Sequence, residues 1–378
     1  MGLLSEEQEM LRDAAKGWAR QNSPVAAFRA MRDSDVAIAY DADSWKAIAD
    51  MGWAGVIVPE KYGGSDFGYL SLGLVLEELG RTLTASPLAA SAMGTASALV
   101  LGGTESQKAL WLPRIAEGSA IGTLAIDEGT HHAPERVAAK ATKSDTGYVL
   151  NGAKVFVLEG LAAHLLIVSA RTAGEPGDQD GITLFAVPAD APGIGRERLA
   201  LIDHRGAARI TFSDVEVGAE SVIGTENSGW SLLDKILDRA RAGLSAEMLG
   251  AALEAFEITV EYLKVRVQFG QPIGSFQALQ HRAAGMFTDL ELARSTVEAA
   301  LRAIDEGSPD VAELVSLAKI KVGDTFYRVS NEMIQMHGGI GMTDEHDAGF
   351  YLKRARTCEA AFGNRSYHRE RFATIRGF

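Results

Sequence analysis

Two stretches in the second half of the chain carry the most information, RVQFGQPI at residues 266–273 and QMHGGIG at residues 335–341. They lie between or at the ends of long segments in which apolar residues recur at helical spacing. Those segments cover residues 229–264, 276–306, 310–336 and 347–372. Because four long helices with short connections are typical of an antiparallel bundle, the sequence predicts a four-helix bundle over residues 228–378.

The chain before this bundle divides into two further zones. Residues 1–118 are mostly helical in pattern, and Ser5 and Gln8 have the spacing of a capping box at the start of the first helix. Residues 119–227 instead contain short strand-like runs separated by Gly, Asp and Pro, as at Asn151-Gly152. Those runs are 148–150, 154–158, 165–170, 182–187 and 208–212. The sequence therefore predicts a mainly α protein with a small central β-barrel domain.

The composition argues against several classes of function. The formal charge is −13, from 37 basic and 50 acidic side chains, and no basic block offers a surface for nucleic acid. The single cysteine, Cys358, excludes an intrachain disulfide framework and a cysteine-based metal site. No apolar run approaches the ~18 residues that a membrane span requires. The N-terminus lacks the pattern of a signal peptide, so we expect a cytoplasmic protein without membrane or nucleic-acid partners.

Further motifs run along nearly the whole chain in a characteristic order and spacing. They are PEKYGG at 59–64, LEELGR at 76–81, NGAK at 151–154, VEV at 215–217 and GIGMTDEHD at 339–347. Together with the two stretches above, they resemble the acyl-CoA dehydrogenase family. The resemblance implies an N-terminal helical domain over 1–118, a β-barrel domain over 119–227 and the C-terminal bundle over 228–378. It also implies FAD as cofactor, an acyl-CoA substrate, and an electron-transfer flavoprotein or similar electron acceptor.

In this family the two stretches reach across a subunit interface to a flavin held mainly by another chain. The resemblance assigns these contacts to Arg266, Gln268, Phe269, Gln277, Gln335, Gly338 and Gly339. The residue types suit the task, because a guanidinium offers a bidentate fork to a pyrophosphate. The Phe269 ring can lie against the adenosine, and the Gln335 amide can bond to ribityl or phosphate oxygens. Adjacent glycines let a backbone approach a ligand closely.

The family's reaction removes an α-proton from the thioester with a carboxylate base while the β-hydride passes to the flavin. In most members the base precedes a Gly-Thr in the last segment, and that position here is Phe362, followed by Gly363. In a smaller branch it lies on the first bundle helix beside an arginine, and that position is Ala240, beside Arg241. Neither Phe nor Ala can accept a proton, so no catalytic residue is predicted at the family's base positions.

The central zone also departs from the family's pattern. The resemblance implies an acidic-Pro-x-x-Gly-Ser-Asp loop and a Trp-x-Thr strand facing the chain's own flavin. Here residues 126–134 are IDEGTHHAP and residues 156–158 are FVL. Leu158 stands where a threonine would donate a hydrogen bond, and leucine has no donor. The sequence therefore predicts that the chain keeps the residues lent to a neighbour's flavin and lacks those that hold its own.

Other side chains offer alternatives. Glu359, three residues before Phe362 and on nearly the same helical face, is a candidate for a relocated base, as is Asp238. His131 and His132 could suggest a metal site, but adjacent residues rarely bind one ion together and no third ligand lies at a useful spacing, so no metal is predicted. His337 lies inside the second stretch, where it is expected next to the flavin or in the packing.

One main hypothesis and three alternatives follow. The main hypothesis is a subunit similar to those of bacterial α2β2 acyl-CoA dehydrogenases that act on bulky, steroid-derived acyl-CoA, with a paralogous partner supplying the catalytic Glu. The first alternative is a homo-oligomeric dehydrogenase that uses Glu359 as its base. The second alternative is a flavin monooxygenase on the same fold, since such monooxygenases use histidines near the flavin. The third is a regulatory subunit without flavin contact.

Overall fold

The computed structural model describes residues 4–34 and 36–378. The described chain forms two compact units. One comprises residues 31–72 and 85–240, and the other comprises residues up to 30, 73–84 and 241–378. Helical, β and again helical elements follow one another along the chain, as the sequence predicts.

The chain before residue 120 is helical. Its α-helices are α1 Glu6–Asn22, α2 Val25–Asp33, α3 Ala42–Asp50, α4 Tyr69–Arg81, α5 Ser97–Gly102 and α6 Glu105–Ala116. A π-helical segment, Ala89–Ala96, precedes α5. The predicted capping box is confirmed at α1, where the Gln8 backbone N–H donates to the Ser5 hydroxyl and the Ser5 N–H donates to the Gln8 side chain. These two bonds satisfy donors that a helix start otherwise leaves unpaired.

The central strands form one eight-stranded sheet. They are β1 Gly122–Ala125, β2 Lys140–Lys143, β3 Gly147–Leu158, β4 Leu165–Arg171, β5 Ile182–Pro188, β6 Ile194–Arg198, β7 Ala207–Gly218 and β8 Val222–Ile223. Their order is β6-β7-β3-β2-β4-β5-β8, and β1 pairs with β4 in parallel. Fully buried Leu166, Val168 and Phe185 lie in its apolar core. Alternate positions of β3 and β7 are buried, as expected for strands with one covered face.

Two features of the sheet correct the predictions from sequence. Within the described residues the sheet has free ends at β6 and β8, so the predicted closed barrel is wrong. The physical reason is that, among the described strands, β6 pairs with β7 and β8 pairs with β5, while the two edges do not pair with each other. The predicted turn at Asn151-Gly152 is also wrong, because β3 continues through it with a register shift between Leu150 and Gly152. Such a shift marks a β-bulge.

Five helices, not the predicted four, follow the sheet. They are α7 Trp230–Val265, α8 Gln277–Asp305, α9 Val311–His337, α10 Ala348–Ala360 and α11 Arg365–Arg376. The fourth predicted helix is broken at Phe362 and Gly363, whose φ angles are +55° and +105°. Asn364 then caps α11 by accepting from the Tyr367 N–H at 2.9 Å. Within the described residues no helix is both long and apolar enough to cross a membrane.

Candidate functional site

A short hairpin connects α7 to α8. Its strands are β9 Val267–Gln268 and β10 Gln271–Pro272, paired antiparallel. Phe269 and Gly270 form the two-residue turn, with φ angles of +53° and +79°. Positive φ at both central residues is the signature of a type I′ turn, and glycine is the residue that adopts it without strain. Phe269 adopts it with a ring that is 92% exposed.

The polar side chains of this hairpin make few contacts with the described part of the chain. The Arg266 side chain makes no hydrogen bond or ion pair with any described residue. Gln277, the first residue of α8, is exposed, and the Gln268 amide donates only to the neighbouring Val267 carbonyl. The almost fully exposed Phe269 ring and the exposed Arg266 guanidinium lie next to each other on this hairpin. These side chains are therefore available to a group outside the chain.

The second stretch lies beside the first. The Tyr262 hydroxyl, on α7 just before the hairpin, donates to the His337 carbonyl at 3.3 Å. His337 ends α9 and is followed by the 3-10 turn Gly338–Met342. The structure therefore brings together the two stretches that the sequence singled out, 266–273 and 335–341.

The two glycines of this turn differ in why they are needed. Gly338 has a φ of +65°, so the backbone itself requires glycine. Gly339 has no such φ, and a Cβ placed on it would meet nothing within 4 Å. Its own fold thus gives no reason for glycine at 339, which fits close approach of a ligand from outside. Gln335, in the last turn of α9, is exposed.

A cleft of about 550 Å³ opens next to Gln335. Arg282, Met342 and Lys353 also line it. Arg282 forms an ion pair with Glu332, another lining residue. The cleft thus offers a polar amide, a lysine and apolar surface in one place, which suits a ligand with an anionic and an aromatic part.

The two positions at which the sequence analysis expects the family's base carry apolar side chains. Ala240 is buried on α7, and Phe362 is partly buried in the break between α10 and α11. The backbone around Phe362 is nevertheless held firmly. Its carbonyl accepts from Arg241 Nε at 3.1 Å and lies 3.1 Å from His368 Nε2.

A buried lysine completes this arrangement. Lys319 Nζ donates to the carbonyls of Cys358, Glu359 and Gly363 at 2.8–3.1 Å. Burial lowers the pKa of Lys319 to about 8, and burial also lowers the pKa of His368. The loop is therefore fixed by cationic and imidazole groups on its carbonyl oxygens, independently of the side chain at 362.

Sequence reasoning did not identify Lys319. A signal was present, because Lys319 lies four residues after Val315 and three before Val322, and both valines are fully buried. Nearby Lys321 has the same residue type but a partly exposed side chain that pairs with Asp289. Residue type alone could not distinguish the two lysines.

The alternative bases are engaged elsewhere. Glu359 Oε1 accepts from Arg365 Nε at 3.0 Å, and Arg365 also pairs with Asp324. The Glu359 carboxylate is therefore held in an ion pair within this chain. Asp238 is 3% exposed on α7.

The loop at residues 126–134 is bound to its own surroundings. Asp127 accepts from His132 Nδ1 at 2.9 Å and from the Ala133 N–H at 3.3 Å. Glu128 accepts from Lys154 Nζ at 2.7 Å and from the N–H groups of Ala138 and Ala139. Within the described residues, no group of three or more His, Cys, Asp or Glu side chains could hold a metal, so His131 and His132 have no further ligands there.

Lys154, on β3, holds this loop in place through hydrogen bonds. Its side chain is fully buried, and Nζ also donates to the Ile126 carbonyl and the Ser169 hydroxyl, each at 3.0 Å. Burial lowers the pKa of Lys154, and the neighbouring Glu128 opposes that shift. Such a buried pair is held by its hydrogen bonds and is sensitive to the loss of either partner.

The end of β3 holds residues 156–158, where the resemblance implies a flavin-facing threonine. Phe156 has a φ of +52° at a register shift between Lys154 and Val157, and its ring is 47% exposed. The Leu158 carbonyl accepts from the Thr123 hydroxyl at 2.5 Å. At Leu158 the side chain offers no hydrogen-bond donor.

Three family profiles match this chain in succession. Acyl-CoA dehydrogenase N-terminal domain matches residues 5–119, the middle domain matches 126–215, and the C-terminal domain matches 227–375. The chain belongs to the acyl-CoA dehydrogenase family. FAD is the cofactor of this family of oxidoreductases.

Individual members of the acyl-CoA dehydrogenase family resemble this chain over its full length. The mitochondrial 2-methylacyl-CoA dehydrogenase of Solanum tuberosum is 32% identical over 97% of this chain and 90% of its own. The structure of butyryl-CoA dehydrogenase from Megasphaera elsdenii is 28% identical, covers 100% of both chains and superposes with a TM-score of 0.92. The G363A variant of the steroid ACAD Tcur3481-Tcur3483 is 30% identical, covers 98% of both chains and has a TM-score of 0.89.

Proposed function

We propose that this chain is one subunit of a heteromeric acyl-CoA dehydrogenase in which a paralogous partner supplies the catalytic Glu. The reaction is the α,β-desaturation of a bulky acyl-CoA of steroid type, carried out by an α2β2 assembly. The observation that carries the proposal is that both base positions, Ala240 and Phe362, lack a proton acceptor while the backbone around Phe362 is intact. The paired designation of the steroid ACAD that matches this chain supports it.

FAD fits the exposed residues of the hairpin and the turn. Arg266, unpaired within the described chain, would bind the pyrophosphate, and the exposed Phe269 ring would cover the adenosine. Gly339 would allow close backbone approach, and Gln335 would hydrogen-bond within the adjoining cleft. Gln268, Gln277 and Gly338 complete the proposed set. When bound, FAD supplies the hydride acceptor for the dehydrogenation, and an electron-transfer flavoprotein or similar acceptor reoxidises it.

This chain's own contribution is binding and shielding. Phe269 on its rigid type I′ turn would exclude water from one side of the cofactor, because an aromatic ring displaces solvent without competing hydrogen bonds. Arg266 would neutralise phosphate charge at the subunit interface. Removing the α-proton falls to the partner, since within this chain Glu359 is paired with Arg365.

The functional division of the chain follows the same proposal. We assign residues 1–118 to an N-terminal helical domain, 119–227 to the β domain and 228–378 to the C-terminal helical domain. The central β domain, with the self-contained loop at 126–134 and Leu158, would no longer hold a flavin of its own. The C-terminal helices would form the partner interface.

The deciding experiment compares the chain alone with the chain co-expressed with a paralogue that has Glu at one of the two base positions. We expect a colourless chain alone and a yellow assembly whose visible spectrum reports bound FAD. Acyl-CoA dehydrogenation should require both chains and should be abolished by changing the partner's Glu to Gln. Full FAD occupancy and acyl-CoA turnover by the chain alone would refute the proposal.

A further inference from the structure

Three aromatic rings stack at the base of the Gly338–Met342 turn. The His337 ring lies 4.3 Å from the Tyr262 ring at 29° and 4.3 Å from the His346 ring at 47°. His337 and His346 are the two ends of the segment that carries the turn. Contact between their rings therefore closes this segment at its base, and Tyr262 joins the closed base to α7.

The hydrogen bonds of His337 define its protonation state. Nδ1 lies 2.6 Å from the Met333 carbonyl, which can only accept, so Nδ1 carries the proton. Nε2 is buried and has no hydrogen-bond partner among the described residues. A second proton would have to be placed on this buried nitrogen. Burial lowers the pKa of His337, and the nearby His346 adds to the effect.

His346 has the opposite tautomer. Its Nδ1 accepts from the Ala348 N–H at 3.1 Å, at the start of α10, so a neutral ring carries its proton on Nε2. Protonation would place a second donor on Nδ1, facing the Ala348 N–H. Burial lowers the pKa of His346. The Asp347 carboxylate partly opposes this shift, and the Arg29 guanidinium adds to it.

The charged groups around the stack do not favour an imidazolium. Arg29, on α2, donates to the Asp344 carbonyl and to Asp347 Oδ1, each at 2.6 Å. The carboxylates of Asp344 and Asp347 are therefore both paired with the Arg29 guanidinium, and Asp344 Oδ2 lies 3.3 Å from Arg29 Nη1. Glu345 is exposed to solvent, where screening weakens its influence. On the other side, α7 contributes the uncharged Tyr262.

We propose that Tyr262, His337 and His346 form a neutral stack that positions the Gly338–Met342 turn, and that protonation of the two histidines releases the turn. The histidines are thus positioning residues for the flavin contact, a role that rests on the proposed function. The sign follows from linkage, since the pKa values in the closed stack lie below the ordinary 6.5. The stack has its full stability above about pH 6.5 and loses it as the pH falls, because the open form takes up protons first.

The first test needs no flavin. Amide hydrogen exchange of residues 338–346 is measured on the full chain at about pH 7.5 and pH 5.5 and normalised to the intrinsic rates. We expect protection of the turn to fall at the lower pH by up to about tenfold for each histidine, the factor that one pH unit of linked titration supplies. His346→Asn keeps an acceptor for the Ala348 N–H but cannot titrate, so the fall should shrink to the contribution of His337 alone. His281→Phe, at an exposed histidine of α8, is the matched control and should behave like the unchanged chain.

A second measurement links the stack to the cofactor. The FAD dissociation constant of the co-expressed assembly should rise by the same factor between the same two pH values, and His346→Asn should reduce this rise to the contribution of His337. Unchanged protection at low pH would overturn the inference and leave the proposed function standing. If the turn opens at low pH while the FAD dissociation constant stays the same, the Gly338–Met342 turn does not contact FAD. That result would contradict this part of the proposed function.

Discussion

The hairpin at residues 267–272 and the loop at residues 126–134 can be compared by what their side chains contact. Around the hairpin, Arg266 is unpaired within the described chain and the Phe269 ring is almost fully exposed. In the loop, Asp127 and Glu128 are both engaged by neighbours from the same chain. One region is available to an outside group and the other is satisfied internally. The difference teaches that, under the proposed function, the regions of one chain can contribute unequally to a shared cofactor site.

The largest expected effect concerns the loop at residues 126–134, whose charged side chains are paired within the chain. Lys154→Met removes a fully buried cation and leaves Glu128 without its closest partner. We expect a loss of about 3–5 kcal/mol in the free energy of unfolding, because breaking a buried pair strands a charge. Chemical denaturation measures it. Lys143→Met is the control, since this exposed lysine pairs with Glu226 at the surface and should change the stability far less. Equal effects of the two substitutions would mean that the loop does not depend on its internal network.

The second prediction tests the exposed region. Arg266→Ala should weaken FAD binding to the assembly by about 1.5–3 kcal/mol, the usual contribution of a charge-assisted hydrogen bond. The free energy of unfolding of the chain should not change, because Arg266 has no partner inside it. Titration of the flavin-free assembly with FAD gives the affinity. Arg198→Ala, at an exposed arginine of β6, provides the control. If Arg266→Ala lowered the free energy of unfolding but left the FAD affinity unchanged, Arg266 would be a structural residue and not a flavin contact.

A smaller effect separates the main hypothesis from a self-sufficient enzyme. Glu359→Gln should leave acyl-CoA turnover by the assembly nearly unchanged and reduce stability by at most about 1 kcal/mol, since its pair with Arg365 is partly exposed. Steady-state kinetics and thermal unfolding measure both quantities. Glu370→Gln, on the exposed side of α11, is the comparison variant. Loss of turnover in Glu359→Gln alone would identify Glu359 as the base.

The smallest expected effect comes from restoring a carboxylate. Phe362→Glu places a base at the family position in a loop whose backbone is already held by Arg241 and His368. We expect no acyl-CoA turnover by the chain alone, because Leu158 and the loop at 126–134 still lack the flavin contacts. An anaerobic spectrum with acyl-CoA would reveal any flavin reduction. Turnover by this single variant would show that the β domain still holds a flavin.

Periodic features were predictable from the sequence, and local backbone breaks were not. The long apolar repeats gave α7, α8 and α9 to within a residue or two, because burial of one helix face constrains every turn. The split between α10 and α11 was missed, since it depends on left-handed backbone at Phe362, a residue that rarely adopts it. Short strands such as β2 and β6 were missed because their exposed, charged residues carry no alternation of apolar and polar positions.

The candidate site divides in the same way. Motif spacing located the two stretches that Tyr262 and His337 bring together, since sequence order fixes which helix ends carry them. The groups that hold the surrounding segments in place could not be predicted. Lys319 holds the loop at Phe362, Lys154 holds the loop at 126–134, and His346 contacts His337, and all of these partners become neighbours only after folding.

The loop at Phe362 has a consequence for how such a chain can arise. Arg241, Lys319 and His368 grip the loop by its carbonyl oxygens, and every residue type provides that oxygen. The side chain at 362 can therefore change without loss of these bonds, among residue types that tolerate a φ of +55°. After a gene duplication, one copy could lose its base in a single step and remain a well-folded, assembly-competent protein. A division of labour between duplicated subunits is thus an accessible evolutionary outcome for a scaffold built in this way.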